Sequence, residues 1–560
     1  MRLTLLLIAA TTALSAWAQH LPFPDYAGDD ARTLRVALRA GDAGVHFALG
    51  PYTYDDVDTL VRAARAAGFA DSWRERDDLE RLRARLGVAP LRTAPDRGGL
   101  RGWLGSTFYR RAGYAVSVDK PGLTLRVNPV LDVSAGEQSG SGGRGGVVVQ
   151  NTRGLTLWAD VDDRVSFQTT FYENQARLPS WAREWRAAYD DRVPGVGFYK
   201  DYDAILFDAD DAVDYFQATG EVGVRLTDHI HFRLGHGNPR LGIGDRSLLL
   251  DDFADPYLYA QLDTRVWKLH YRNVYAQLQD GVQSTTRIAR KFMVAHTVSV
   301  ALTPSWEVGL TEQTVFARDG GFDAQYLNPI ILYRAVEQDN GSPDNAMLGA
   351  HTNVRLGRSG VVYGQLLFDE FKFDELFGGD GWWGNKYAWQ LGWRGFDVGG
   401  AVGLDLGVEY NRVRPFTYAH RFPSISYTHY SQPLAHPWGA SLEELRVRAS
   451  KQFSTRWRVR AVATLMQQGD IDAPPRPHGG ANVLFNNNAR ARDYGYEVAD
   501  APAVSRLHLQ TTLEYLPAHG ATVFARYDLY DVNSDRVGGF SQHGVRVGVT
   551  LNAIRRSSLF

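Results

Sequence analysis

From Val402 to Tyr410 the chain alternates without a break. Val402, Leu404, Leu406, Val408 and Tyr410 fall on one side of an extended strand, and Gly403, Asp405, Gly407 and Glu409 on the other. Successive side chains of a strand point to opposite faces, so this segment separates water from something apolar. The device returns in Val545, Val547, Val549 and Leu551 against Arg546, Gly548 and Thr550. It returns again in Leu507, Leu509 and Leu513 against Arg506, His508, Gln510, Thr512 and Glu514, and in Trp457, Val459, Ala461, Ala463 and Leu465 against Arg458 and Arg460. A soluble β-sandwich alternates in the same way, but in a shorter chain with its polar face outward. A membrane barrel turns the apolar face out.

The first eighteen residues predict a cleaved secretory leader: Met1-Arg2, the apolar run Leu3 to Ala10, and Ala16-Trp17-Ala18 ahead of Gln19. That run is too short to span a bilayer, and no later window approaches the roughly 20 apolar residues of a membrane helix. Cysteine is absent, which excludes a lipoprotein anchor, structural disulfides, thiolate metal sites and cysteine nucleophiles. A closed barrel supplies order without them, because every strand is paired and no edge remains. The 27 Tyr and 14 Trp beside 56 Gly suit aromatic girdles and tight turns, and a net charge of -2 argues against a nucleic-acid binder.

Before the strands comes a helical stretch. Thr53 with Asp56, then Val57, Leu60, Val61 and Ala64, form a capped amphipathic helix; Ser72 with Glu75 begins a second that runs through Leu79, Leu82 and Leu86 to Gly87. Asp30 to Ala40 predicts a third. From about Gly102 there are about 18 candidate strands of the length a tilted membrane strand requires. Short turns such as Thr303-Pro304-Ser305 and Phe453-Ser454-Thr455 alternate with long segments from Leu178 to Asp214, Asp319 to Ala346, Arg412 to Ser441 and Gln468 to Ala501. Short turns on one rim and long loops on the other are the outer-membrane pattern. The expectation is an all-β membrane protein, an antiparallel transmembrane β-barrel of about 18 strands. Residues 1–18 are read as the leader, 19–100 as a periplasmic helical element, and 101–560 as the barrel with long extracellular loops.

Several stretches go beyond generic barrel character. Leu234-Gly-His-Gly-Asn238 through Gly244-Asp-Arg-Ser-Leu-Leu-Leu-Asp251 to Trp267-Lys-Leu-His-Tyr271 resembles the gliding-motility outer-membrane proteins of the RemB kind, within the Wzi-like capsule-assembly family of the Bacteroidota. Tyr326-Leu-Asn-Pro329, Gly341-Ser-Pro-Asp-Asn345, Tyr363-Gly-Gln365, Asp369-Glu-Phe371, Trp382-Trp-Gly-Asn-Lys386, Arg414-Pro-Phe-Thr-Tyr-Ala-His420 and Tyr427 to Ala440 agree in the same order. The resemblance implies a barrel of about 18 strands with a helical periplasmic element, acting at the cell surface in gliding or with extracellular polysaccharide, by binding and not by catalysis. Ser431 and Trp438 depart from the Asn and Leu expected there. Phe560 departs in parity: a strand continued from Val545 to Leu551 would point it inward.

The segment from Arg412 to Ser441 is the candidate ligand surface. It carries Tyr418, His420, Tyr427, His429, Tyr430, His436 and Trp438, spaced by Pro415, Pro423, Pro433 and Pro437. Sugars stack apolar C–H faces on rings and give hydroxyls to His, Tyr and Asn, so a rigid aromatic loop suits a glycan. The alternative is that these rings pack the loop on itself or into the barrel as a plug. The histidines at spacings of nine and seven residues match no short ligand pair, so no metal is assigned. Asp339 to Asn345 lacks the bidentate Glu of a calcium loop and reads as a turn. Arg446, Arg448, Arg458, Arg460, Arg506, Arg526 and Arg546 fall on polar strand faces as a candidate lumen-facing basic wall for anions. The alternative, which the near-zero total charge favours, is cross-strand pairing with Asp405, Glu409, Glu514 and Asp528. No nucleophile motif is visible and no cofactor is expected. The partners expected are outer-membrane lipid, extracellular polysaccharide, gliding or surface machinery, and barrel-insertion machinery. An outer-membrane diffusion channel is the rival reading.

Overall fold

The computed structural model describes residues 21–24, 29–47, 49–69, 71–88, 108–109, 111, 113–141, 145–202, 212–281, 289–471, 479–500, 502–536, 538–554 and 558–560. The expected leader, and the junction near residue 100 between helical element and barrel, lie outside them. Among the described residues eighteen long antiparallel strands, the first Leu123–Gly140 and the last Gly538–Leu551, form one sheet. These two pair with each other from Leu131 opposite Leu551 to Gly140 opposite Gln542, so the sheet closes on itself. A short ribbon, Val116–Lys120, adds to the first strand.

The alternation orients each strand as the sequence predicts. In Leu404–Val413, Val408 is exposed while Glu409 and Asn411 are buried, and in Gly538–Leu551 Val545, Val547 and Val549 stand outward. Trp267, Trp306 and Trp457 sit at the short turns near 267–268, 304–305 and 453–456 and are exposed, an aromatic girdle on that rim.

Three helices, α1 (Asp29–Ala40), α2 (Tyr54–Ala66) and α3 (Trp73–Arg85), close the short-turn end. Both predicted capping boxes form, Thr53 with Asp56 and Ser72 with Glu75. The apolar faces of the helices pack with Trp158, Val361, Tyr363 and Phe396 of the barrel. Ion pairs fix the unit to the wall: Arg74 Nη1 donates to Asp397 at 2.6 Å and to Asp405 at 2.8 Å, and Arg265 Nη1 donates to Asp56 at 2.6 Å.

At the other end the long segments take the alternative given for the aromatic loop, packing on themselves and into the barrel as a plug. Segments 238–256 and 414–441, a helix α4 (Ser180–Ala188) and residues 558–560 turn into the lumen and build one apolar core with inward strand residues such as Met293, Val315 and Met347. A loop of this length holds its shape by burying apolar area. The inner wall at this height is apolar enough to receive it. Phe560 does point inward, as its parity suggests, but as part of this core and not of a strand. The two plugs meet, since Ile243 packs on the helical unit and Leu49 joins the upper core.

The segment 317–344 instead lies on the outside of the wall. Phe292, Val294 and Phe316, whose side chains face away from the lumen, pack with Tyr326, Tyr333 and Val336 of that segment.

Candidate functional site

The lumenal plug is latched by side chains from distant strands. Glu409 accepts from the backbone N–H of Asp245 at 2.6 Å and of Arg246 at 3.0 Å, and the Tyr363 hydroxyl donates to the same carboxylate at 2.8 Å. Gln365 accepts from Leu248 N at 2.7 Å. Arg246 is fully buried against Glu444 at 2.9 Å and also donates to the Leu559 carbonyl at 2.6 Å. Pairing and hydrogen bonding of this kind are what allow charged groups to stay ionised when buried.

The aromatic segment is part of the same plug. The Tyr418 hydroxyl donates to Leu248 O and the Tyr427 hydroxyl to Leu249 O, both at 2.8 Å. Trp438 is buried beneath the Arg506 guanidinium, 4.2 Å from the ring centre, and beside Phe560. His429 Nδ1 accepts from Gln279 N at 3.0 Å, and burial with Lys291 nearby pushes its pKa down to about 3. His436 lies 3.2 Å from Glu444, and burial holds its pKa below the ordinary value. Tyr418, Tyr427, His429, His436 and Trp438 therefore face protein and not solvent, because the rings find their apolar partners within the plug. Each histidine has its own partners, and they do not converge. Tyr430 is half-buried at the rim, with its N–H on Gln279 O at 3.0 Å. Ser431, at φ 61°, holds a left-handed conformation that Asn adopts more easily than Ser, and its hydroxyl compensates by bonding Asp190 at 2.5 Å.

The arginines divide. Glu514 takes Arg458 at 2.6 Å and also Arg460, as cross-strand pairing predicts. Asp405 and Glu409 are instead engaged by the helical unit and the plug, so Arg446 and Arg448 turn to Asp245 of the plug. Arg506 pairs with Glu184 of α4 at 2.7 Å. Arg526 and Arg546 stand opposite each other on neighbouring strands. They have no ion pair among the described residues. Asp344, in the turn from Asp339 to Asn345, takes Arg318 at 2.6 Å and the Tyr326 hydroxyl at 2.7 Å.

Of the seven aromatic-loop candidates, His420 lines a cleft of about 500 Å³ at the long-loop rim. Its floor is the upper ends of strands Asn345–Leu356 and Gly360–Glu370, and its sides come from segments 317–344, 371–385 and 487–488. His420 Nδ1 accepts from Phe422 N at 3.1 Å. Burial and the Lys386 ammonium push its pKa down to about 4, so the ring is neutral and carries its hydrogen on Nε2. Asn487 is buried, and while its Nδ2 donates to Ala419 O at 3.4 Å, its Oδ1 has no partner. A buried amide oxygen left without a donor costs about 1–3 kcal/mol, which a bound hydroxyl would recover. Arg421 is exposed at the edge, Glu337 is held above the usual carboxylate range by burial, and the Trp383 ring has the Arg490 guanidinium 3.9 Å and the Lys386 ammonium 5.6 Å from its centre. Neutral imidazole, amide, carboxylate and indole together are chemistry for a polyhydroxylated ligand. Trp382-Trp383 and His420 stand out in the sequence, whereas nothing local to Asn487 signals that it joins them.

Residues 268–501 match the family model described as capsule assembly protein Wzi. The chain is similar in structure to Wzi of Escherichia coli, an outer membrane protein involved in group 1 capsule assembly and a carbohydrate-binding β-barrel. That likeness covers 92% of this chain and 97% of the other, with a TM-score of 0.54 and 12% identity, and so shows the fold alone. OpdL and OccK8 (OprE) of Pseudomonas aeruginosa, each 11% identical over 76% of this chain and 98% of their own, have TM-scores of 0.40 and carry no argument. No curated protein sequence matches the chain. The stretch 268–501 is thus Wzi-like in sequence and the chain Wzi-like in fold, a closed barrel of eighteen long strands with N-terminal helices.

Proposed function

We propose that this chain, Wzi-like over residues 268–501 and in its barrel fold, is an outer-membrane protein that holds capsular or extracellular polysaccharide at the cell surface. The observation that carries the reading is the rim cleft with its unpartnered Asn487 amide oxygen. Every residue lining the cleft lies inside the Wzi-like stretch. With a plug at each end of the lumen, the chemistry left to the molecule is on its surface. In this reading the long-loop rim faces outward and the helical unit faces the periplasm, after export on a leader in residues 1–18 and insertion by the barrel-insertion machinery. Binding needs no catalytic group and no cofactor. Retained polymer also gives a gliding cell its contact with a surface, so one deletion strain scored for capsule retention and for spreading separates the two roles.

The direct test is binding of the purified protein to the native surface polysaccharide. Asn487→Ala and Arg421→Ala are expected to weaken it by about tenfold each, the size of one hydrogen bond to a buried or charged group. Unchanged binding in both variants removes the cleft from the account.

A further inference from the structure

The cleft crosses the barrel wall. Asn345 and Met347 are buried toward the lumen, so Ala346 and Leu348, between and beyond them on the same strand, face away from it. Leu348 is 48% exposed and lies opposite Phe368 of the next strand, so the floor of the cleft runs from the polar rim onto the lipid-facing wall. The roof on this side is segment 317–344, which lies down on the wall. The Tyr275 hydroxyl donates to Leu327 O at 3.2 Å, and the Tyr271 hydroxyl bonds Pro329 O. The Tyr333 ring stacks on His296 at 4.3 Å, and Glu312 accepts from the N–H of Tyr333 and of Arg334, both at 2.7 Å. On the outward side of this roof Ile330 is 83% exposed and Leu332 66%, beside the exposed polar residues Asn328, Arg334 and Gln338. The Leu348 side of the cleft is therefore continuous with the barrel's outward apolar face, while the same cleft is also lined by the polar groups His420, Asn487 and Arg421, the last reaching back to the roof at the Ser342 carbonyl, 3.2 Å away.

A free polysaccharide has no use for the apolar end of such a cleft, and a bare lipid has none for the polar end. We propose that the ligand is a saccharide covalently joined to an acylated lipid of the outer leaflet. Its lipid-proximal sugars lie among Asn487, His420 and Arg421, and its chains run down over Leu348 and Phe368 beside the roof. The proposal rests on the saccharide-binding reading and adds the lipid anchor to it.

The probes are lipopolysaccharide extracted from the source cells, presented in phosphatidylcholine vesicles, and the water-soluble saccharide released from it by mild acid. Each is titrated against the full chain in nanodiscs. The expected result is at least tenfold tighter binding of the acylated form. Leu348→Ser should remove most of that preference without changing affinity for the released saccharide, and Arg421→Ala should weaken both forms. A heat-dependent change in gel migration shows that each variant still folds. Equal binding of the two forms, unaltered by Leu348→Ser, overturns the lipid anchor and leaves saccharide binding standing. Binding of neither form to the folded protein, with none of the native polysaccharide either, overturns both.

Discussion

The indole of Trp438 has a cation on one side, Arg506 at 4.2 Å from the ring centre, and the ring of Phe560 nearby at 5.7 Å. It is a packing residue. Trp438→Ala is expected to cost about 3–5 kcal/mol, the range for deleting a large buried aromatic. Its saccharide affinity should change far less than that of Arg421→Ala. Denaturant midpoints of the plug, followed by hydrogen exchange, and a binding titration on the same protein check both halves. At this scale the sequence is half legible. Density of rings and prolines in 412–441 marks a rigid segment, and inward Asp405 and Glu409 follow from alternation. What those groups touch does not follow. Leu248 reaches Tyr418 across 170 positions of chain, Leu249 reaches Tyr427 across 178, and Arg74 reaches Asp405 across 331.

At the scale of elements, the N-terminal helices are the most readable part, since a capping box is a local device and its residues are three apart. The plug segment 238–256 is the least readable. Its leucines, 248 to 250, resemble a strand run, and acceptors on Glu409, Gln365, Asp251 and Ser247 give its irregular backbone partners that a buried loop needs. Segment 414–441 also carries a pH dependence. His420 and His429 have folded pKa values of about 4 and about 3, below the roughly 6.5 of a solvated histidine. As pH falls below roughly 6.5 the released segment takes up protons before the docked one does. Its docking weakens from there down to the folded pKa values, by up to about 1.4 kcal/mol per pH unit for each histidine. Hydrogen exchange of 414–441, corrected for its intrinsic rate, should therefore show lower protection at pH 5 than at pH 7. Equal or greater protection at pH 5 contradicts the buried neutral rings.

For the molecule as a whole, the strand number and the two kinds of rim follow from period and turn spacing, because both are local. The direction in which a long loop folds is decided by the rest of the barrel and is not written in the loop. The filled lumen has a measurable outcome. In planar bilayers the intact protein should show no large steady openings, whereas Glu409→Ala, which strips the acceptor from two plug amides and from Tyr363, should produce intermittent ones. Large steady openings of the intact protein would favour the rival diffusion channel over the plugged, binding reading.

The closure of the first strand on the last holds more than the wall. Helices that precede the first strand and residues 558–560 that follow the last one both end up within the ring of strands. The seam from Leu131–Leu551 to Gly140–Gln542 therefore fastens the wall around material from both ends of the chain, so loosening that one pair of strands is expected to release the contents along with the container.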